Sequence, residues 1–390
     1  MKKRILFVDD EQRILDGLRD LLYRQRRIWD MVFVTSGEQA LHELTRDRFD
    51  VVVSDMRMPG MDGATLLRKI QEERPHIVRI VLSGFAELEA ALRAVPVAHQ
   101  FLTKPTSADD LENVIARACN LHALIGADVV RRTVGRVEKL PSLPPVYAEL
   151  TRVMADERSG PRDVARVIQQ DLAMCAKVLQ LANSAFFGLG RCSSSIEAAV
   201  AMLGFNMIKN LVLSAELFTP WHNARVTGFC LETLQTHSLF VSLLASRMLA
   251  GHKRHAEDAF MAGMLHDIGK LVLAFELPLQ LEAAQTRANR EKRPLHDVEA
   301  EMFDVTHAEV GAYLLGLWGL PYSVVEAVAN HHKPMRVAQR GVDPLCAVYC
   351  ADQLACGRAI DPAYVASLGL ADHIPAWTAL AERLGQGGRA

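Results

Sequence analysis

Val51-Val52-Val53-Ser54-Asp55 decides the fold of the first third of this 390-residue chain. Three valines and a serine are too short a run for a helix and too apolar for an exposed strand. They read as a strand buried on both faces, and it ends on a carboxylate. The flanks keep the same rhythm. Arg4–Val8 (RILFV), Met31–Val34, Ile77–Leu82 and Gln100–Leu102 read as further short strands; Ile14–Arg24, Gly37–Arg46, Ala64–Glu73, a weak segment near Glu87–Ala94 and Ala108–Cys119 read as helices. Such alternation argues for a doubly wound α/β domain with a five-stranded parallel sheet. Sheets of this kind bind ligands at the carboxyl ends of their strands, near the switch point of the strand order.

Polar residues stand at those ends. Asp9 and Asp10 close the first strand, Asp55 the third, Ser83 the fourth and Lys104 the fifth. A single Asp at a strand end is commonly a turn former or a helix N-cap. Several carboxylates on one edge, however, repel one another unless a cation lies among them, and oxygen-only ligands favour Mg²⁺. A carboxylate beside Mg²⁺ can attack phosphorus while a hydroxyl and a lysine hold the transferred oxygens.

Composition bounds the rest. The length calls for two or three domains, and 50% hydrophobic with 23% charged residues describes a globular chain. Lys+Arg 44 against Asp+Glu 46 leaves a net charge of -2, so neither nucleic acid nor a membrane is expected as a partner. The seven cysteines include no Cys-x-x-Cys pair and read as reduced thiols of a cytoplasmic protein. The apolar run Ile5–Val8 stops at Asp9-Asp10, far short of a secretory signal, and no stretch reaches membrane-spanning length.

From Leu111 to Glu138 the pattern stays helical until the prolines at 141, 144 and 145, with Leu121, Leu124, Ile125, Val129, Val130, Val134 and Val137 at helical intervals. This stripe suits either pairing in a homodimer or packing on the chain's own second domain; Gly126 and Gly135 would weaken a coiled coil. Beyond the prolines no strand is convincing. Helices are expected over Pro145–Met154, Arg162–Gln170, Met174–Asn183, Ile196–Leu203, Asn206–Phe218, Cys230–Ala250, Asp258–Phe275, Pro278–Arg290, Leu295–Phe303, His307–Leu317, Tyr322–Asn330, Pro344–Cys356 and Trp377–Arg383, an all-α domain. Val164–Phe186 can be mistaken for a DNA-reading helix-turn-helix, but Gln169-Gln170-Asp171 supplies few cations for phosphates.

Within this domain Ala262–Leu271, AGMLHDIGKL, places His266, Asp267 and Lys270 in an otherwise apolar helix. Burying that pair without a metal or hydrogen-bond partners would be costly. With His237, His307, His331, His332 and Asp352 it offers enough imidazole and carboxylate for two ions of Fe, Mn or Zn. Two metals activate a shared water and clamp a phosphate, and Lys270 could meet a phosphate oxygen. A lone histidine is more often a satisfied core or surface residue; His252 and His255 read as exposed.

The N-terminal stretch closely resembles the receiver domain of two-component response regulators, a flavodoxin-like fold: FVDDEQ, SDMRMPGMDG, LSG and FLTKP stand where that family has its motifs. The resemblance implies that Asp55 accepts a phosphoryl group from a sensor histidine kinase. It further implies that Asp10 ligates Mg²⁺ directly, Asp9 through water and Arg57 through its carbonyl, that Ser83 and Lys104 form the switch pair, and that Phe101 is the aromatic switch. Ala98-His99-Gln100 departs from the family's Gly-Ala before the last strand. The later histidines resemble the HD superfamily of metal-dependent phosphohydrolases, and more closely the HDOD domain, through LPSLPPVYAEL, VIQQDLAMCAKVLQLANSAFFG, SSSIEAAVAMLGFNMIKNLVL, GMLHDIGKL, HAEVGAYLLGLWGLP and ANHHKP. HDOD domains are generally regarded as non-catalytic output or scaffold modules engaging a protein partner. Here the His and Asp positions are largely intact, while Lys333-Pro334-Met335-Arg336 replaces the Gly-Tyr-Pro signature of cyclic-di-GMP phosphodiesterases. The expected organisation is a receiver over 1–122, a helical linker over 111–139 overlapping its last helix, an HDOD output domain over 140–335 and a helical extension over 336–390 carrying Asp352.

Overall fold

A computed structural model describes residues 2–84, 94–124, 128–137, 140–142, 144–156, 159–184, 193–204, 208, 218–220, 226–338 and 341–387. The strands β1 (Lys3–Val8), β2 (Trp29–Val34), β3 (Val51–Asp55), β4 (Val78–Gly84) and β5 (Gln100–Lys104) form one parallel sheet in the order β2-β1-β3-β4-β5. Helices α1 (Gln12–Leu21), α2 (Gly37–Arg46), α3 (Gly63–Glu73) and α4 (Ala108–Leu124) complete the doubly wound α/β domain that the alternation predicts. All of β3 is buried, as its valines require, with Val53 level with Phe7 on one side and Ile80 on the other. The order reverses at β1 and β3, so Asp9 and Asp55 flank the switch point. The segment near Glu87–Ala94 lies outside the described residues except for Ala94.

The expected continuous linker helix is α4 followed by α5 (Asp128–Arg136), with residues 125–127 outside the described residues. Its Val130 and Val134 are buried within the chain itself. Gly135 is needed for this packing, because a Cβ there would lie 1.7 Å from the Pro75 carbonyl oxygen. Arg79, buried in β4, donates to that turn at Gly135 O (2.7 Å), to Val97 O (2.5 Å) and to Ile77 O (3.1 Å), and so ties the linker to the sheet.

Helices then follow one another: α6 (Pro144–Ala155), α7 (Pro161–Ile168), α8 (Leu172–Ala182), α9 (Ile196–Leu203), α10 (Leu231–Met248), α11 (Lys253–Leu265), α12 (Ile268–Glu276), α13 (Pro278–Glu291), α14 (Leu295–Phe303), α15 (His307–Leu317), α16 (Tyr322–Asn330), α17 (Pro344–Ala355), α18 (Pro362–Leu368) and α19 (Ile374–Gly387). The domain is mostly helical, with one correction: β6 (Leu140–Ser142) and β7 (Phe218–Pro220) pair in parallel. Prolines in both make these three-residue segments invisible to a strand pattern. Of the predicted helix Asn206–Phe218 only Ile208 and Phe218 are described, and Phe218 opens β7. All of α8 is buried, which leaves no face to read DNA. No helix among the described residues is long and apolar enough to cross a membrane.

A second correction concerns Asp258–Phe275. It is two helices, α11 and α12, broken at His266-Asp267, where Asp267 has φ −102° and ψ 10°. The break turns α12 onto α15, and the two meet so closely that a Cβ on Gly269 would lie 1.9 Å from His307 O.

The sheet domain and the helical domain share one continuous apolar core. Polar contacts at their junction run from side chains to backbone: Gln100 Nε2 donates to Leu317 O (2.7 Å), Gln180 Nε2 to Ala98 O (3.2 Å), and the Arg117 guanidinium to Leu320 O. The Ala98-His99-Gln100 departure therefore lies at this junction, and His99 Nδ1 accepts from the backbone N–H of Arg79 at 3.0 Å.

Gly269→Ala is expected to destabilise the protein by about 3 kcal/mol, since over-packing against backbone cannot be relieved by a rotamer. An unchanged thermal midpoint would show that α12 and α15 tolerate separation.

Candidate functional site

Two polar centres stand out, one in each domain. At the carboxyl edge of the sheet, Asp9 and Asp55 are buried and share one cation: Lys104 Nζ donates to Asp9 Oδ2 at 2.6 Å and to Asp55 Oδ1. The remaining oxygens are held by the backbone, Asp9 Oδ1 by Glu11 N–H (3.0 Å) and Asp55 Oδ2 by Arg57 N–H (2.8 Å). Burial pushes the Asp55 carboxyl up, against the opposing pull of Lys104. Burial likewise works against the Lys104 ammonium, but the two carboxylates outweigh it and its pKa is raised. Ser83 is buried in β4, level with Thr103 of β5, and Phe101 is fully buried beneath the edge. Asp10 is exposed. Asp9, Asp55 and Lys104 are thus brought into direct contact. The all-oxygen set on this edge suits a hard divalent cation such as Mg²⁺.

The second centre is assembled from five elements. His237 comes from α10, His266 and Asp267 from the break between α11 and α12, His307 from the first position of α15, His331 and His332 from the end of α16, and Asp352 from α17. The seven predicted ligands fall into two groups, Asp267/His307/His331/His332 and His237/His266/Asp352, and within each group the ligand atoms lie within 4.8 Å of one another. His332 Nε2 is 2.8 Å from His307 Nε2, and His266 Nε2 is 3.3 Å from His237 Nε2. Two acceptor nitrogens at such distances repel unless a proton or a metal lies between them. Asp267 Oδ1 and His331 Nε2 are buried without a hydrogen-bond partner, and both face this cluster. Orphaned acceptors, convergent imidazoles and a mixed N/O set together fit divalent Fe, Mn or Zn.

Tautomers point the same way. His266 Nδ1 lies 2.7 Å from Gly263 O and His331 Nδ1 2.8 Å from Val328 O. A carbonyl only accepts, so each Nδ1 carries a proton and each ring turns its Nε2 inward. Burial opposes charge on His266, but the adjacent Asp267 carboxylate outweighs it and raises the His266 pKa. Burial holds the His331 pKa below its ordinary value, and burial with the neighbouring histidines holds His332 well below. Burial pushes the Asp267 carboxyl up, yet Lys270 and His266 overcome this and hold it well below the usual carboxylate range. Lys270 Nζ donates to Asp267 Oδ2 at 2.6 Å. A cavity of about 360 Å³ opens over the cluster, lined by His237, Asp267, Lys270, His307, His332 and Asp352.

Two residues of this centre escaped the sequence analysis. Glu299 of α14 is fully buried and accepts from His307 Nδ1 at 2.6 Å; His296 stacks on His332 with ring centroids 4.0 Å apart. Glu299 stands among Asp297 and Glu301 in a helix with an exposed acidic face, and nothing in the sequence singles it out.

The sequence matches the response regulator receiver domain over residues 5–116 and the HDOD domain over residues 140–334. An uncharacterized protein of Treponema pallidum is 29% identical over 50% of this chain and 38% of its own. The response regulator protein FleR of Pseudomonas aeruginosa is 34% identical over 32% of this chain and 25% of its own. The chain therefore spans well under half the length of these relatives. Among solved structures, the MmoQ response regulator of Methylococcus capsulatus superposes with a TM-score of 0.50 at 24% identity, covering 63% of this chain and 97% of that one, a likeness of fold.

The Glu299–His307 pair gives the centre a pH signature once metal is stripped. Burial pulls His307 down, but Glu299 outweighs it and raises its pKa to about 9; burial pushes Glu299 up, but His307 holds it below its ordinary value. A raised histidine contributes stability fully below its unfolded pKa of about 6.5 and loses it as pH rises towards 9, whereas a depressed carboxyl contributes above about 4.3. The thermal midpoint of chelator-treated wild type should therefore exceed that of Glu299→Gln most between about pH 4.3 and 6.5, with the gap closing towards pH 9. A gap independent of pH would contradict the pairing.

Proposed function

Because the chain belongs to the HDOD family and joins its HDOD domain to a response regulator receiver domain, we propose that it is a phosphorylation-controlled regulator in which Asp55 receives a phosphoryl group from a histidine kinase and the HDOD domain presents the result to a protein partner. The observation that carries this reading is Lys104 Nζ, held between Asp9 and Asp55 at the switch point of the sheet. Asp55 Oδ attacks phosphorus as the bond to the donor imidazole breaks, and the phosphoryl group stays on the carboxylate. Asp9, Asp10, Asp55 and the Arg57 carbonyl would hold Mg²⁺, which offsets the charge of the incoming group. Ser83 and Lys104 then take the phosphoryl oxygens. Lys104 leaves its present partners to do so, which shifts the end of β5 with Phe101 beside it. The change passes through α5 and through the Gln100–Leu317 contact to the helical domain.

A second reading has its own observation. Five of the seven His and Asp residues line one cavity with Lys270 at its wall, and the buried His266 and His331 complete the two groups, the arrangement a metal-dependent phosphohydrolase acting on a nucleotide or cyclic dinucleotide would need. In that reading Lys270 neutralises a phosphate oxygen and the buried cluster holds divalent metal.

Asp55→Ala should abolish labelling by acetyl phosphate, and a variant that still labels would sink the phosphoacceptor assignment. Protein purified without chelators should carry Fe, Mn or Zn that His266→Ala loses. Turnover of a nucleotide panel by wild type but not by Asp267→Ala would favour the second reading, while bound metal without turnover would leave a sensing or structural centre.

A further inference from the structure

His266 and His331 each use the carbonyl three residues back to fix their ring, an acceptor that the preceding turn supplies because both follow the end of a helix. His307 has no such turn. It is the first residue of α15, preceded by the N-cap Thr306 and by Asp304 in the left-handed region at φ 55°. Its ring needs an acceptor from elsewhere, and Glu299 supplies it. Oε2 accepts both from His307 Nδ1 at 2.6 Å and from the His307 backbone N–H at 2.9 Å. Glu299 is 0% exposed, and its other oxygen, Oε1, is buried with no hydrogen-bond partner. A buried carboxylate with one oxygen unsatisfied is an expensive way to fill space, which an apolar side chain would fill better.

We propose that Glu299 is a positioning residue whose carboxylate keeps the proton of His307 on Nδ1, so that Nε2 is presented to the Asp267/His307/His331/His332 group as a strengthened ligand for a divalent metal. The proposal rests on the metal reading of that centre. Its specificity follows from the geometry: Glu299 contacts His307 and no member of the His237/His266/Asp352 group among the described residues. The effect should therefore fall on one of two binding events.

Full-length protein stripped with chelator and titrated calorimetrically with Mn²⁺ should show two binding events. Glu299→Gln, whose amide oxygen can still accept but carries no charge, should weaken one about tenfold; Glu299→Ala should weaken the same one about a hundredfold, with the other unchanged. Equal loss of both, or loss of neither, would overturn the proposal. A second measurement needs no metal. The His307 Nδ1–H should give a downfield, slowly exchanging proton resonance in metal-free wild type that disappears in Glu299→Ala and in His307→Asn. Its absence from wild type, or its persistence in Glu299→Ala, would overturn the assignment. Wild type that takes up no metal but shows the resonance would refute the metal reading and leave Glu299 as the residue that sets the His307 proton. Should Glu299→Ala fail to fold, Glu299→Gln decides the titration, and in it the resonance should move upfield because a neutral amide accepts less strongly than a carboxylate; an unmoved resonance would overturn the assignment.

Discussion

The helical two-thirds of the molecule is arranged around the burial of one carboxylate. Asp267 has a side chain only 2% exposed, and an isolated ionised group there would be driven to neutrality. Lys270, His266, His307 and His331 surround it instead. Bringing four nitrogens to one residue forces the backbone to cooperate. α11 and α12 cannot form one helix, because a straight rod would carry Asp267 and His266 away from α15 and α16. Gly269 and Gly263 permit the close contacts with α15 and α10 that the break makes necessary. The apolar packing of those helices can be met in many ways, but the partners of Asp267 select this one.

The two centres answer the same electrostatic difficulty differently. At the sheet edge one ammonium, on a strand end, serves two carboxylates, so a single added charge there would redistribute all three. In the helical domain the ligands are fixed by helix ends, by carbonyls three residues back and by Glu299, and little can move without exposing a buried charge. The first centre suits a switch, and the second suits holding something in place.

Much of this was legible in the chain. Strands buried on both faces announce themselves as valine runs, and Asp55 and Lys104 lie within such patterns or directly after them. His266-Asp267 was conspicuous because polar pairs are rare in apolar helices. What could not be read has physical causes. The helix break at His266-Asp267 carries no Gly or Pro, since tertiary contacts to Asp267 impose it. β6 and β7 are held by each other across a long separation and carry prolines. Glu299 looks like its exposed neighbours because burial on one helix face depends on what packs there. Gly135, which speaks against a coiled coil in sequence, is in fact the close contact that seats the linker on Pro75.

The contact between Gln100 and Leu317 has a thermodynamic corollary. Gln100 opens the strand that Lys104 ends, and Leu317 ends the helix that His307 opens. One strand and one helix of 11 residues, about 16 Å long, therefore lie between the proposed phosphoacceptor and the candidate metal centre. Any free energy of coupling carried along them is the same in both directions. If modification of Asp55 alters the affinity for metal by some factor, metal occupancy alters the modification equilibrium by that factor. The helical domain would then be an input as well as an output, and the phosphorylated fraction would depend on the ion supply as well as on the kinase.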